Sequence, residues 1–307
     1  MRLPVISITG ASGMMGQSIV RNMSLDYHIY APSSQIRLDD KIQTNAYFQQ
    51  LSEVDILIHA AAKVGGVLSN SQDNDGYFNI NNAINRNVLD AAFRNKYDKV
   101  ISVLSTCIFP DKTTYPLVSE NIDNGTPNHT NKGYAYSKRL LMHSTKYMGD
   151  MLGKEWGSII PTNLYGIKDN FNLQHSHVIP ALIHKAYIAK KTGGYMEVLG
   201  NPDALRQFLF IDDFSQILKW SLDSWDYSKE PLMAVNETEY PISYVAETIS
   251  DIIGLHASKI SYNPKYAVGQ FRKPAKSSVS DHKFTPLKEG LETTIEWFIN
   301  NYETCRK

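Results

Sequence analysis

Leu3-Pro4-Val5-Ile6-Ser7-Ile8-Thr9 runs straight into Gly10-Ala11-Ser12-Gly13-Met14-Met15-Gly16, and the junction of these two stretches decides the architecture. The first is short, apolar and β-branched, the pattern of a buried strand. Gly10 breaks it at once, and from Met14 to Met23 the apolar residues recur at helical spacing, so the segment reads as strand, tight turn, helix. Glycines at 10, 13 and 16 let such a turn bend sharply and bring its backbone close to a pyrophosphate at the helix N-terminus. Ser12, Met14 and Met15 lie in the same turn and join Gly10, Gly13 and Gly16 as candidate cofactor-binding residues.

Outward from this turn the alternation continues. The pattern predicts strands at His28–Ala31, Val54–Ala61 and Lys99–Ser105, with helices at Thr44–Leu51 and Asn81–Arg94 between them. It specifies an α/β fold, a Rossmann-type doubly wound parallel sheet with helices on both faces. A polar stretch, Asp111–Lys132, leads to a helix at Tyr134–Leu152 and a strand at Trp156–Pro161. After Tyr165 the rhythm loosens. Helices are expected at Val178–Lys190, Phe214–Leu222, Ile242–Ile253 and Leu291–Tyr302, with extended pieces at Met196–Leu199 and Gln207–Ile211. The expected division is a cofactor-binding domain over 1–165 with a return excursion near 207–235, and a smaller C-terminal substrate lobe from 166–206 and 236–307.

With 31 basic and 31 acidic residues there is no net field to attract nucleic acid or an anionic membrane, so neither is an expected partner. Hydrophobic residues at 42% and charged residues at 20% are ordinary for a globular chain and exclude a disordered one. The cysteines, Cys107 and Cys305, lack metal-ligand spacing and suit a reducing compartment; with no signal-peptide pattern or membrane span in view, a cytoplasmic protein without a metal site is expected.

An acid at the end of the second strand would bind a ribose 2′-hydroxyl and repel a 2′-phosphate. Here Ala31-Pro32-Ser33-Ser34-Gln35-Ile36-Arg37 carries none before Asp39; Ser33, Ser34 and Arg37 offer hydrogen bonds and a positive charge, which favours NADP(H). Further on, Tyr134-Ala135-Tyr136-Ser137-Lys138 places Tyr134 and Lys138 one helical turn apart on one face. A tyrosine with an ordinary pKa near 10 exchanges protons near neutrality only with help, and Lys138 is expected to supply the cation that lowers it. Ser105, at the end of a strand, would polarise a carbonyl, so the three together fit carbonyl reduction.

The Gly-x-x-Gly-x-x-Gly spacing resembles the short-chain dehydrogenase/reductases, and longer stretches resemble one extended family within them, the GDP-L-fucose synthases. These stretches are His59-Ala60-Ala61-Ala62-Lys63-Val64-Gly65-Gly66, Ser105-Thr106-Cys107-Ile108-Phe109-Pro110, Pro161-Thr162-Asn163-Leu164-Tyr165-Gly166, Asp169-Asn170-Phe171-Asn172 and Ser176-His177-Val178-Ile179-Pro180-Ala181-Leu182. The resemblance implies a reductase triad at Ser105, Tyr134 and Lys138, and an epimerase acid/base pair at Cys107 and His177. It implies further cofactor contacts at Ala60, Ala61, Ala62, Lys138, Pro161, Asn163 and Leu164. Substrate contacts are implied at Asn163, His177, Lys185, Leu199, Arg206 and Lys273, the substrate being a GDP-linked 4-keto-6-deoxy sugar. A homodimer joined through Asn81–Arg94 and Tyr134–Leu152 is expected, because related reductases pair through two such helices.

The chain also departs from the family. Lys185 stands where an arginine is expected and loses the bidentate fork, and Leu199 stands where tryptophan is common. Gly269-Gln270-Phe271-Arg272-Lys273 resembles the family's late substrate loop, but Pro274–Ser280 diverges. A 4-keto reductase of a related GDP-sugar, such as a GDP-heptose, stays open beside the bifunctional epimerase-reductase. A noncatalytic NADP(H)-sensing regulator is a third reading, which would have no reason to keep Ser105, Tyr134 and Lys138 together.

Overall fold

The protein is described by a computed structural model that covers residues 2–51, 53–265 and 270–307. Gly269, quoted above in the late loop, lies outside the described residues. The chain opens with β1 (Val5–Thr9), α1 (Met14–Met23), β2 (His28–Tyr30), α2 (Lys41–Gln49), β3 (Ile56–His59), α3 (Val67–Gln72), α4 (Asn74–Arg94) and β4 (Lys99–Val103). It continues through α5 (Lys132–Leu152), β5 (Glu155–Pro161), β6 (Asn163–Tyr165), α6 (Val178–Thr192), β7 (Met196–Leu199), β8 (Leu205–Phe210) and α7 (Ile211–Ser224). The last elements are β9 (Leu232–Ala234), β10 (Glu239–Pro241), α8 (Ile242–Ile253), β11 (Ile260–Asn263) and α9 (Leu287–Asn300).

One sheet carries β2, β1, β3, β4, β5 and β9 in that order, every neighbouring pair parallel. Side chains alternate across a strand, and here both faces are covered. Ile6, Ile8, Ile58, Ile101, Val103 and Ile159 pack with Ile19 of α1 and Phe214 of α7. Their neighbours Val5, Leu57, Val100 and Ile160 pack with Phe48 of α2, Val88 of α4 and Leu141 of α5. Every residue of β1 is therefore buried, Ser7 and Thr9 included. This is the doubly wound, Rossmann-type arrangement that the alternation specified.

The remaining elements build outward from the first of these two cores, which runs on without a break into α6, α8 and α9 through Ile183, Val245 and Leu291. A second sheet sets β8 between β10, antiparallel, and β6, parallel. A third pairs β11 with β7. α7 is clasped to α1: the Ser18 hydroxyl meets Ser215 at 2.8 Å and donates to Asp212, which also pairs with Arg21.

Some boundaries differ from expectation for physical reasons. α4 begins at Asn74 rather than Asn81, because Asp73 caps it by accepting from the Gly76 N–H at 3.1 Å. α7 begins at Ile211 rather than Phe214: the strand before it ends at Phe210, and Asp212 and Asp213 occupy the first turn, where the helix dipole favours acids. β4 ends at Val103, and Ser105 instead caps a short 3₁₀ turn over Thr106–Ile108.

Candidate active site

In an open parallel sheet, ligands bind beyond the carboxyl ends of the strands where the order reverses. Here that point lies between β1 and β3. Gly10, at φ +75°, sits so close to the β3 exit that an added Cβ would lie 2.8 Å from the Ala61 nitrogen. At Gly16 it would lie 2.4 Å from the Ala11 Cα. Both glycines are therefore required by packing within the chain. Gly13 is different, since a Cβ there would meet only the Gly10 carbonyl oxygen, at 3.4 Å. Gly13 caps α1 with no side-chain hydrogen bond, which leaves the first-turn N–H groups clear for an anion. Met14, Met15 and the exposed Ser12 flank this concavity, and Ala60, Ala61 and Ala62 form its half-buried far wall. A pyrophosphate fits such a cradle.

Past β2, Ser33 and Ser34 are exposed and Ser33 turns back to accept from the Gln35 N–H at 3.2 Å. Arg37 is not free-standing: its guanidinium donates to both Asp39 oxygens, at 3.3 and 2.8 Å. That contact holds the Asp39 carboxyl below its ordinary range.

The reductase candidates gather at the end of β4. Lys138, 2% exposed, donates from Nζ to the Val103 carbonyl at 2.8 Å. Burial pushes its ammonium down to about 8. Tyr134, one turn earlier on α5, is half-buried with its ring edge-on to Tyr77, and the Lys138 ammonium lies 5.9 Å from its ring centre. Burial, then the nearness of Cys107 and Tyr77, pushes the Tyr134 hydroxyl up. This corrects the expected depression by Lys138: loss of solvation outweighs a cation at that distance. The consequence is a phenol that stays protonated near neutrality, the state a proton donor needs. Ser105 accepts from the Cys107 N–H at 3.3 Å, so the Ser105 hydroxyl and the Cys107 thiol belong to one turn. Tyr136 points elsewhere, flanked by Lys132 and Arg139.

Cys107 is free and half-buried. Arg206 on β8 and Lys273 both feel its charge, and burial pushes both of their cations down. Arg206 donates to the Leu205 carbonyl at 2.7 Å and the Phe271 carbonyl at 3.1 Å. Asp111 also acts on Lys273, and Gln270 donates to the Asp111 carbonyl at 2.8 Å. Two cations are thus within electrostatic reach of the thiol.

His177 caps α6; its side chain is exposed, yet crowding by the surrounding protein pushes the imidazole below its ordinary value. Exposure and crowding together describe the wall of a cleft. The turn before it is seated on the β3 exit, where the Gly66 N–H donates to His175 at 3.1 Å and an added Cβ on Gly66 would lie 2.7 Å from the Ser176 oxygen. Pro161 ends β5; Asn163 donates to the Gln207 carbonyl at 2.8 Å and, with Leu164, starts β6. Lys185 donates to the Glu197 carbonyl at 2.9 Å, which places it beside β7, where Leu199 is 36% exposed. These two therefore sit at β7.

Sequence reasoning missed the supports. Asn81 clamps Lys63 from both sides, accepting from its N–H at 2.8 Å and donating to its carbonyl at 3.1 Å. Asn85 and Thr9 hold the buried His59. The signal was present as asparagines four apart on the inward face of α4. A groove of about 660 Å³ beside Lys99, Glu155 and Trp225 lies at the amino ends of β4 and β5, away from these groups. Among the described residues no cluster of histidine, cysteine, aspartate or glutamate is arranged to hold a metal ion.

Comparison with known proteins places this constellation. Residues 6–233 match the model of the NAD dependent epimerase/dehydratase family. GDP-L-fucose synthase of Dictyostelium discoideum is 37% identical over 98% of this chain and 97% of its own length. Probable GDP-L-fucose synthase of Drosophila melanogaster is 31% identical over 98% and 99%. The crystal structure of a GDP-L-fucose synthetase from Naegleria fowleri bound to NADP superimposes with a TM-score of 0.91 at 32% identity, covering 99% of this chain and 95% of that one. The turn at Gly10, the Tyr134–Lys138 pair and the full-length likeness agree, and the chain belongs to the NAD-dependent epimerase/dehydratase family, among its GDP-L-fucose synthases.

Proposed function

We propose that this protein is an NADPH-dependent enzyme that epimerises GDP-4-keto-6-deoxy-D-mannose at carbons 3 and 5 and reduces its 4-ketone, giving GDP-L-fucose. The observation that carries this reading is the convergence at the end of β4: a buried tyrosine that stays protonated lies one helical turn from a lysine anchored on Val103, near a free thiol within electrostatic reach of two cations. Residues 1–165 and 207–235 serve the cofactor, and 166–206 and 236–307 serve the nucleotide sugar.

The Gly10–Gly16 cradle and the Ala60–Ala62 wall would hold the pyrophosphate, with Ser33, Ser34 and Arg37 at the 2′-phosphate and Pro161, Asn163 and Leu164 by the nicotinamide. When bound, NADPH supplies the hydride for carbon 4. The ketone makes the hydrogens on carbons 3 and 5 acidic, so Cys107 removes a proton as thiolate and His177, as the imidazolium, returns one to the opposite face. Tyr134 then protonates the carbon-4 oxygen, Ser105 polarises it, and the Lys138 ammonium stabilises the phenolate left behind. Arg206, Lys185 and Lys273 neutralise the GDP diphosphate and the developing charge. The chain works in the cytoplasm as a homodimer.

Incubation with GDP-4-keto-6-deoxy-D-mannose tests this directly. NADPH absorbance falls, NADPH outperforms NADH in kcat/KM, and proton NMR identifies GDP-L-fucose. A reduced but unepimerised sugar would establish the reductase-only reading; unchanged NADPH would remove both.

A further inference from the structure

A chain of hydrogen bonds crosses the core beneath the site, and its direction can be read from chemistry alone. His59 ends β3 with no exposed surface; Thr9 and Ser137 are equally buried and Asn85 is 5% exposed. The Asn85 side-chain amide faces the Ser137 carbonyl at 3.3 Å. A carbonyl only accepts, so the amide NH₂ lies on that side and Oδ1 faces His59 Nε2, 3.1 Å away. Nε2 must then carry a proton. The neutral ring accepts at Nδ1, so the Thr9 hydroxyl, 2.7 Å away, donates to it. That leaves Thr9 Oγ1 to accept from the Ala61 N–H at 3.3 Å. Every donor in the chain finds an acceptor. Burial, then the Lys138 cation, pushes the imidazole down to about 3, while Asn85 opposes them, so burial favours the uncharged ring that the hydrogen-bond pattern accommodates.

The two ends of this chain are the two halves of the site. Ala61 belongs to the wall of the cofactor cradle, and Ser137 lies on α5 between Tyr134 and Lys138. A leucine would fill the same core without the cost of burying polar atoms. We propose that His59, as the neutral Nε2–H tautomer, is a positioning residue that ties the cofactor wall to the helix carrying Tyr134 and Lys138. The proposal rests on the assignment of that pair to ketone reduction.

Two conservative variants divide the chain. In His59→Gln the amide nitrogen takes the place of Nε2 and keeps the donor to Asn85, but nothing accepts from Thr9. In His59→Asn the amide oxygen takes the place of Nδ1 and keeps the Thr9 contact, but Asn85 loses its donor. Each lost hydrogen bond is worth roughly threefold to tenfold. His59→Gln is expected to weaken NADPH binding by that factor with kcat nearly unchanged, and His59→Asn to lower kcat by that factor with the NADPH Kd nearly unchanged. Nitrogen-15 NMR of the wild-type ring should show the proton on Nε2, with no titration from about pH 5 to about pH 9. A proton on Nδ1, a titrating ring, or two variants that move Kd and kcat alike would overturn the proposal and make His59 a packed core residue; the wild-type spectrum decides even where a variant does not fold. A wild-type chain that binds NADPH yet turns over no GDP-sugar defeats the functional reading alone, and the Kd comparison with the tautomer then decides the role of His59. One that binds no NADPH defeats both.

Discussion

At Tyr134 and Lys138 the spacing gave the partners and burial gave the chemistry. Tyr-x-x-x-Lys is visible in the sequence, but the ammonium bound to the Val103 carbonyl and the hydroxyl pushed upward are not, because they depend on how much protein surrounds each group. Lys138, pushed down to about 8, is a cation only below that value. Its folded value lies under its ordinary one, so the charge proposed to stabilise the Tyr134 phenolate is present at neutral pH and lost as pH rises. The rate of ketone reduction should therefore fall through about pH 8, and Lys138→Met should be slow and show no such limb; a wild-type profile flat from neutrality to about pH 10 would count against this. The two chemistries should also separate. Tyr134→Phe deletes only the proton donor, so hydride transfer should drop by about 10²–10⁴-fold while substrate hydrogens still exchange with deuterated solvent. Cys107→Ser replaces a thiol of ordinary pKa about 8.5 with a far weaker acid, so exchange should collapse and a slowly formed, unepimerised GDP-6-deoxyhexose should appear. Wild-type exchange in Cys107→Ser would return Cys107 to the role of a packing residue.

At the scale of elements, α4 and α5 are the longest helices, 21 residues each. They start together: an added Cβ on Gly133 would lie 2.0 Å from the Asn74 carbonyl, and the Gly133 N–H donates to Asn74 at 2.9 Å. The early start of α4 was hidden in the sequence because Asp73, Asn74, Asp75 and Gly76 have the composition of a loop, and only the cap and this close approach turn them into helix. Periodicity did give the body of both helices, where tertiary packing and propensity agree. Leu140, Tyr147 and Met151 lie on one stripe of α5 and remain 52%, 65% and 60% exposed, an apolar stripe with no partner among the described residues of its own chain. A second copy docking there would cover it. Tyr147→Glu with Met151→Glu should accordingly shift sedimentation at micromolar concentration from dimer to monomer; a wild-type monomer would remove the homodimer.

Across the whole molecule, two cores with different reach explain which parts were legible. Strands buried on both faces leave continuous apolar runs and regular helices, so the first 161 residues could be read almost element by element. The two smaller sheets are assembled from strands of three to six residues, β6, β7, β8, β10 and β11, too short for periodicity to mark and paired only across long separations. Arg206 and Lys273 could be nominated from the sequence by resemblance, but their meeting near Cys107 depends on β8 pairing with β10 and on the Leu205 N–H donating to Phe271 at 2.9 Å. This construction makes the two ligands separable. Arg206 stands on the second sheet, whereas the Gly10 turn and the Ala61 wall stand on the first, and no hydrogen bond of Arg206 reaches either. Arg206→Met keeps an apolar stem of similar bulk and deletes the charge. Loss of one charge-assisted contact to a diphosphate, about 1.5–3 kcal/mol, should raise KM for the GDP-sugar by roughly 10–100-fold. The NADPH Kd, measured by fluorescence titration without substrate, should stay within about twofold of wild type, since the cradle's backbone donors are untouched. Equal losses of both affinities would mean that the two lobes form one binding surface and that Arg206 does not belong to the nucleotide-sugar side alone.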